Sequence, residues 1–549
     1  MSRQQRLTLI ATILGSTVVF LDSTVVNVAL PSISRGLGIG LAGQQWVVEA
    51  YMLALVSLLL VGGSLGDQFG RRRVFTLGLI AFGLTSMLCA LAPSAGFLIG
   101  ARALQGIAGA MLVPGSLAIV AATFEGASRG KAVGTWTAWT GIATVIGPAG
   151  GGALIGLASW RAIFWVNIPL IALTVGLTRR AVGESRDPDA FHGIDWLGIA
   201  LSAAGFGGPV FGLIEQPTHG WSDPLVWVPL LAGIACFGLF VGHEARARQP
   251  MLDLALFKIR NFAVANLTTL AAYAGLIGGL FFVGLFLQQI AGYTPLEAGL
   301  ATTPISVILF LLSPRWGRLA SARGPRLPMS AGPIVAGLGL LLMLRVGEQA
   351  PYATEVLPAI LLFGLGLSAT VAPLTATVLD SVAERHVGVA SGANNGISRV
   401  AGLLAIAVLG ALISGHFGSA LDANLGSRPL SPAARQAVAE AKEQPLGRAR
   451  TRGLTPAEAA RLASAANGAS TSAFHLGIGI AGLLMILGGI VAGWGIEDPR
   501  RARSRLGPAG AERQGRAAVA ALPTRGAAAA GECGHGVGTE GAGSQPPNA

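Results

Sequence analysis

Runs of roughly 18 to 25 predominantly apolar residues, each long enough as a helix to cross the hydrocarbon core of a bilayer, recur along almost the whole chain. The first extends from Leu7 to Leu30, and further runs lie near 45–66, 74–93, 97–121, 130–157, 162–179, 194–216, 224–242, 263–291, 298–320, 328–346, 355–380, 395–417 and 474–494. The pattern predicts an all-α polytopic membrane protein with about fourteen spans. The first run follows Arg3 and Arg6 as a signal peptide would, but it is too long, holds Asp22 and ends at Pro31, so it reads as a spanning helix. An even number of spans puts both termini on one side. The basic turns at Arg71 to Arg73, Arg129 and Lys131, Arg179 to Arg186, Arg246 to Arg260, Arg315 to Arg326 and Arg385 alternate with turns nearly free of Lys and Arg, which makes that side the cytoplasm.

The segment 418–472 carries several basic residues, Arg428, Lys442 and Arg461 among them, yet falls outside by parity; long loops are translocated largely regardless of charge. Within it Ser431-Pro432 and Thr455-Pro456-Ala457-Glu458 have the form of helix starts and predict short exposed helices. Beyond Asp498 the chain turns to Arg, Gly, Ala and Pro without apolar period, as in a disordered cytoplasmic tail whose arginines touch anionic lipid.

Composition narrows the function. Over 549 residues the chain is 52% hydrophobic and 12% charged, with 79 glycines and a mean hydropathy of +0.63; soluble domains carry about 25% charged residues. The net charge of +12 resides in short loops and the tail, with no basic face interleaved with aromatics, so no nucleic-acid partner is implied. Cys89, Cys236 and Cys533 are far apart and read as unpaired thiols, with no metal site. The histidines at 192, 219, 243, 386, 416, 475 and 535 lack H-E-x-x-H spacing, and no reactive constellation suggests an enzyme. Gly126 to Ala132 is one residue short of a nucleotide-binding loop and ends in Ala, so ATP is not implied. A channel would need rings of carbonyls or charges that are not evident.

Three features point to a moving carrier. Gly63-Ser-Leu-Gly66-Asp67-Gln-Phe-Gly70-Arg71-Arg72-Arg73 joins small residues, a carboxylate and clustered charge in one membrane-edge loop, and is expected to gate the cytoplasmic side, Asp67 and the arginines latching onto the opposite half. Gly317 to Arg326 repeats it, with Gly324 in place of Gly70 and Ser321 in place of Asp67, implying two related halves. Gly141, Gly147, Pro148, Gly151 and Gly152, with Gly150, remove bulk and a backbone donor from the fifth span, a candidate hinge. The halves divide the chain into a six-helix bundle at 1–180, two inserted helices at 190–245, and a second six-helix bundle at 260–497 containing the loop 418–472, followed by the tail 498–549.

Charges inside spans are the sharper signal, because each costs at least about 2.5 to 3.5 kcal/mol near mid-bilayer. Asp22 lies roughly 12 Å, and Arg102 roughly 7.5 Å, from the outer ends of their helices, and Glu49 enters the second span from the same side beside Gln45 and Trp46. All three are expected to face the cavity of the first half. A desolvated carboxylate takes a proton near neutral pH and an adjacent Arg opposes this, so relative motion of the two would switch proton affinity. Candidates for the substrate path are Asn27, Gln105, Thr140, Gln288 and Asn394, with Thr137, Asn266, Gln289, Asn395 and Arg399. Trp46, Trp160, Trp221 and Trp227 read as an aromatic belt.

Up to about residue 497 the chain resembles the fourteen-span drug:proton antiporters of the major facilitator superfamily. The resemblance is carried by Leu21-Asp-Ser-Thr-Val-Val-Asn-Val-Ala-Leu-Pro31, Gly63 to Arg73, Arg102-Ala-Leu-Gln-Gly-Ile-Ala-Gly-Ala110, Gly141 to Gly152 and Trp160-Arg-Ala-Ile-Phe-Trp-Val-Asn-Ile-Pro169, in that order. It implies proton-coupled export of lipophilic drugs or antibiotics by alternating access, without a cofactor, by a monomer in the bacterial inner membrane, with functional roles for Asp22 and Arg102. A proton-coupled exporter or symporter of one small metabolite is the alternative. The tenth span has no internal Asp, Glu297 lying only at its start, so a neutral, zwitterionic or monocationic substrate is expected over a dication.

Overall fold

Helix starts follow the caps written into the sequence. Ser2, Thr294 and Thr455 each accept from the backbone N–H three residues on, while Gln5, Glu297 and Glu458 reach back to the cap. Asp223 and Ser431 cap helices whose first residue is proline, a position where the missing N–H costs nothing. The computed structural model describes residues 1–124, 126–186, 195–247, 254–382, 387–426 and 429–498. The tail from 499 on, with Cys533, and the basic residues Arg385 and Arg428 lie outside the described residues.

Every regular element described is helical: α1 (Arg3–Leu37), α2 (Leu41–Phe69), α3 (Arg71–Ala90), α4 (Ala95–Thr123), α5 (Gly126–Leu157), the short α6 (Ala162–Trp165) continuing into α7 (Asn167–Ala181), α8 (Trp196–His219), α9 (Pro224–Glu244), α10 (Arg260–Gln289), α11 (Pro295–Arg323), α12 (Arg326–Leu342), α13 (Leu357–Asp380), α14 (Val387–Leu425), α15 (Pro432–Lys442) and α16 (Pro456–Gly495). A helix satisfies all its backbone groups within itself, which is what a chain in hydrocarbon requires. Large apolar side chains such as Leu77, Leu84, Leu231, Leu239 and Phe310 point outward and are exposed. This is a multi-pass membrane protein.

In the first half α1 packs on α4, α5 and α7, and α2 on α4. The α2–α4 contact is backbone to backbone: a Cβ added at Gly62 would strike the Ala110 carbonyl, and one at Gly106 the Tyr51 carbonyl. In the second half α10 packs on α14 and α16, and α12 on α13 and α16. The inserted α8 and α9 pack on each other, with α8 lying against α2 and α14.

The halves meet through α5 with α11, α2 with α14 and α1 with α10. Their hydrogen bonds lie toward the far end of the bundle, opposite the end where α1 begins and α16 finishes: Gln288 Nε2 to the Val28 carbonyl at 3.1 Å, Gln289 Nε2 to Gln44 Oε1 at 2.9 Å, and Gln45 Nε2 to the Ile406 carbonyl at 2.7 Å. The glycines of α5 and α11 face each other there. Gly152 abuts the Pro295 carbonyl, and Gly299 abuts the Pro148 carbonyl.

The structure gives a partial count of the spans and corrects other expectations. Among the described residues 12 helices are long and apolar enough to cross a bilayer, or 13 if the bent pair Leu41–Leu59 and Val61–Phe69 is one span, against about fourteen expected. The Gly63 to Arg73 segment is not a loop: α2 runs to Phe69 and α3 starts at Arg71, so Gly70 alone leaves the helix, at φ 110°. The repeat is structural as well, since Gly324 breaks α11 from α12 at φ 103°. The helix capped by Ser431 is short, as expected, but the one capped by Thr455 runs on for 40 residues as α16. No proline follows Pro456 within it and its glycines are accommodated in the helix, so a start signal in the loop propagates into the span. Trp46 and Trp160 are packing residues and not belt residues: Trp46 Nε1 donates to Glu215 of α8 at 2.9 Å, and Trp160 is buried.

Because α2 and α4 touch through backbone at Gly106, Gly106→Leu is expected to cost about 1–3 kcal/mol. Thermal unfolding of the purified protein in detergent, with Gly96→Leu at an open position of the same helix as control, measures it.

Candidate functional site

The densest buried polar cluster is assembled by helices of the first half. Asp22 comes from α1, Val47 and Tyr51 from α2, Ser86 from α3, Arg102 and Gln105 from α4, and Asn167 from the start of α7. Arg102 and Asp22 pair at 2.5 Å with both side chains 1% exposed. Arg102 also donates to Gln105 Oε1 at 2.6 Å and to the Val47 carbonyl at 3.1 Å, and its guanidinium lies 4.2 Å over the Tyr51 ring. Asp22 Oδ1 accepts from Gln105 at 3.0 Å and from Asn167 at 3.2 Å, and Ser86 Oγ accepts from the same two amides at 2.9 and 3.3 Å.

The chemistry of this cluster is that of a compensated ion pair. Each Asp22 oxygen has at least one donor, and the guanidinium spreads its charge over a carboxylate, an amide, a carbonyl and an aromatic face. The similar depths read from sequence are met, since the two groups are in contact. Their placement in the cavity is not: both are packed inside the bundle.

Glu49 does not join them. It is fully buried, and neither carboxylate oxygen has a hydrogen-bond partner among the described residues. It lies one turn along α2 from Gln45, whose amide reaches α14. A charge at Glu49 is therefore uncompensated, and a proton there removes it.

The Gly63 to Arg73 segment forms a second site, at the end of the bundle where the chain begins. Asp67 pairs with Arg71 across the helix break at 2.7 Å, and the Arg71 N–H donates to the Ser185 carbonyl at 2.9 Å. Glu184, just past α7, accepts from the Arg72 N–H at 3.1 Å and lies 3.7 Å from the Arg72 and Arg73 guanidinium groups. All these partners belong to the first half. Among the described residues the ion pairs of this segment stay within the first half: Glu184, a residue the sequence reading did not consider, lies by Arg72 and Arg73, and Asp67 takes Arg71. Gly70 is required here twice over, by its positive φ and by the Glu184 carboxylate lying 2.7 Å from where a Cβ would sit.

The Gly-Pro segment of α5 is an interface and not a break. α5 is continuous through Pro148, Gly147 and Gly151 lie against Thr24 and Val25 of α1, and Gly152 meets α11; Gly141 lies in the same helix.

Of the path candidates, Gln105 belongs to the ion-pair cluster and Gln288 bridges the halves. Asn394 accepts from Thr269 at 3.0 Å, while Asn27 and Thr140 bond the carbonyls of Ser23 and Trp136 one turn back. Tyr51, Ser86 and Asn167 were not singled out from sequence. A polar residue within an apolar run was the available signal, but nothing there tells that three such residues converge.

Residues 12–406 match the family profile described as Major Facilitator Superfamily. The chain belongs to that superfamily. It is 36% identical over 441 residues to the "Multidrug resistance protein Stp" of Mycobacterium tuberculosis, covering 80% of this chain and 82% of that protein. It is 31% identical over 493 residues to the "Tetracenomycin C resistance and export protein" of Streptomyces glaucescens, covering 88% and 90%. With the "Multidrug efflux pump LfrA" of Mycolicibacterium smegmatis the identity is 33% over 411 residues, covering 74% and 81%. Among solved structures, the transporter PepTSo aligns at TM-score 0.60 and 13% identity over 90% of this chain and 98% of that one. An inward-facing bacterial homologue of the lysosomal transporter Spinster aligns at 0.56 and 18% over 91% and 100%; both likenesses concern the fold alone. This major facilitator protein is a transporter and not an enzyme, and the three relatives above are named for multidrug resistance, antibiotic resistance with export, and multidrug efflux.

Removing one member of a buried pair strands the other. Arg102→Leu is expected to destabilise by about 3–5 kcal/mol, while Asp22→Leu with Arg102→Leu together costs much less. Unfolding midpoints of the two single variants and the double variant in detergent give the coupling.

Proposed function

We propose that this protein exports lipophilic drugs or antibiotics across the bacterial inner membrane by alternating access, driven by the proton gradient without a bound cofactor. The single observation that carries the reading is the pairing of a compensated carboxylate, Asp22 on Arg102, with an uncompensated one, Glu49, in a bundle whose halves are hydrogen-bonded toward one end. Opening one end and closing the other moves α2 and α14 relative to each other. That changes which carboxylate is desolvated or paired, hence which one holds a proton.

In this reading the far end is the outside and the conformation is closed there. α5, 32 residues long and about 48 Å at 1.5 Å per residue, completes fourteen spans. Both termini are cytoplasmic by the positive-inside rule, and the unit acts as a monomer. Protonation of Asp22 from outside competes with Arg102 for its lone pairs, loosens the cluster and favours outward release of substrate. One elementary charge moved through 100 mV supplies about 2.3 kcal/mol, enough for roughly a fifty-fold gradient of a neutral solute. Relatives named for tetracenomycin C and puromycin support a narrower reading, export of one antibiotic or metabolite.

Asp22→Asn keeps the shape but not the charge. In pump-deficient bacteria it is expected to raise ethidium accumulation to that of cells lacking the protein, while substrate exchange in proteoliposomes without a proton gradient persists. Retained uphill export would remove Asp22 from the proton path.

Gly299→Leu wedges α11 from α5. It is expected to open the far end, speeding maleimide labelling of a cysteine introduced at Gln289 about tenfold, the effect of about 1.4 kcal/mol.

A further inference from the structure

α7 turns one face to the protein and the other to the surrounding lipid. Thr174, Thr178 and Ala181 are buried, and the end of the helix is tied to its neighbours through backbone acceptors. The Ala181 carbonyl accepts from Thr8 of α1 at 3.0 Å and from Gln4 at 3.3 Å, and the Val182 carbonyl accepts from Arg72 of α3 at 3.4 Å. On the other face Ala172, Leu173, Gly176 and Leu177, followed by Arg179 and Arg180, line a shallow groove. Leu173 is 55% exposed and a Cβ added at Gly176 would meet nothing, so no described helix covers this strip.

The two arginines at the head of the groove are unneutralised. Among the described residues neither guanidinium has an ion pair or a hydrogen bond, and the described acids at this end of the first half are engaged elsewhere: Asp67 holds Arg71, and Glu184 lies by Arg72 and Arg73. Asp187 and Asp189 lie outside the described residues. Arg3 and Arg6, exposed on the first turns of the adjoining α1, add positive charge without an ion pair of their own.

Charge that only orients a membrane protein needs no particular place on its side of the bilayer. Here it stands at the rim of an uncovered apolar strip. Guanidinium groups present forked N–H donors matched to phosphate oxygens, the strip beneath them suits a hydrocarbon chain, and basic sites at the membrane edge take anionic headgroups. We propose that this face of α7 docks one anionic phospholipid, its phosphate held by Arg179 and Arg180 and an acyl chain lying along Leu173, Gly176 and Leu177. The inference goes beyond the exporter reading and does not depend on the substrate or on proton coupling. Glu184 follows soon after Arg180 in the chain, so the docked headgroup adjoins the ionic contacts of the Gly63 to Arg73 segment.

Native mass spectrometry of the full-length protein in detergent, titrated with phosphatidylglycerol or with phosphatidylcholine of the same acyl chains, reads the affinity for the first bound lipid. Wild type is expected to prefer phosphatidylglycerol about tenfold or more. Arg179→Gln with Arg180→Gln is expected to lower phosphatidylglycerol binding to the level of phosphatidylcholine, whose own binding is unchanged and reports an intact fold. Arg315→Gln with Arg318→Gln, which removes two exposed charges from α11, is expected to keep the preference. No preference in wild type, equal loss in the two double variants, or displacement of the lipid by equimolar soluble glycerol phosphate, which marks a free-anion site, overturns the proposal.

Discussion

A charge pair buried among apolar helices constrains everything around it. Asp22 and Arg102 have exchanged water for each other, and neither ion is tolerable alone in that environment. Every other polar group in the cluster exists to complete the exchange. Gln105 touches both ions, Asn167 and Ser86 satisfy what remains, and the Val47 carbonyl and Tyr51 ring take the rest of the guanidinium. Five helices are tied at one point by groups that satisfy one another.

The contacts between the bodies are of another kind. α5 and α11 meet through glycines and backbone carbonyls, and where α2 meets α14 the Gln45 amide lies on Gly410 and donates to the Ile406 carbonyl. In lipid there is no hydrophobic penalty for separating apolar helices, so close packing and a few hydrogen bonds hold the interface. Such an interface is tight when formed and inexpensive to open. The inside of the first half and the seam between the halves are thus held by different forces, charge pairing in one and close backbone packing in the other.

The segment from Gly63 to Arg73 shows how much position depends on one residue. Asp67 and Arg71 span Gly70 as an i,i+4 pair although the helix breaks between them, and Glu184 gathers the remaining arginines. The equivalent break at Gly324 keeps the geometry but has Ser321 where the first has Asp67. Local chemistry therefore made the two repeats alike in backbone and unlike in charge.

Span positions, helix starts, the glycine breaks and the membrane class were legible in the sequence because each depends on neighbours a few residues away: apolar run length, a capping side chain, a residue that permits positive φ. The pairing of Asp22 with Arg102 was half legible, since depth along two helices predicts equal height but not contact. What the sequence left open was direction around each helix. Glu49 and Asp22 both lie within spans, yet Asp22 pairs with Arg102 while Glu49 has no hydrogen-bond partner among the described residues, and Tyr51 reads as an ordinary aromatic until α4 brings Arg102 above its ring. Those outcomes depend on how fourteen candidate segments pack, which small residues decide by letting particular backbones touch. Only the tertiary structure decided which charge found a partner, because contact depends on the direction each side chain takes around its helix.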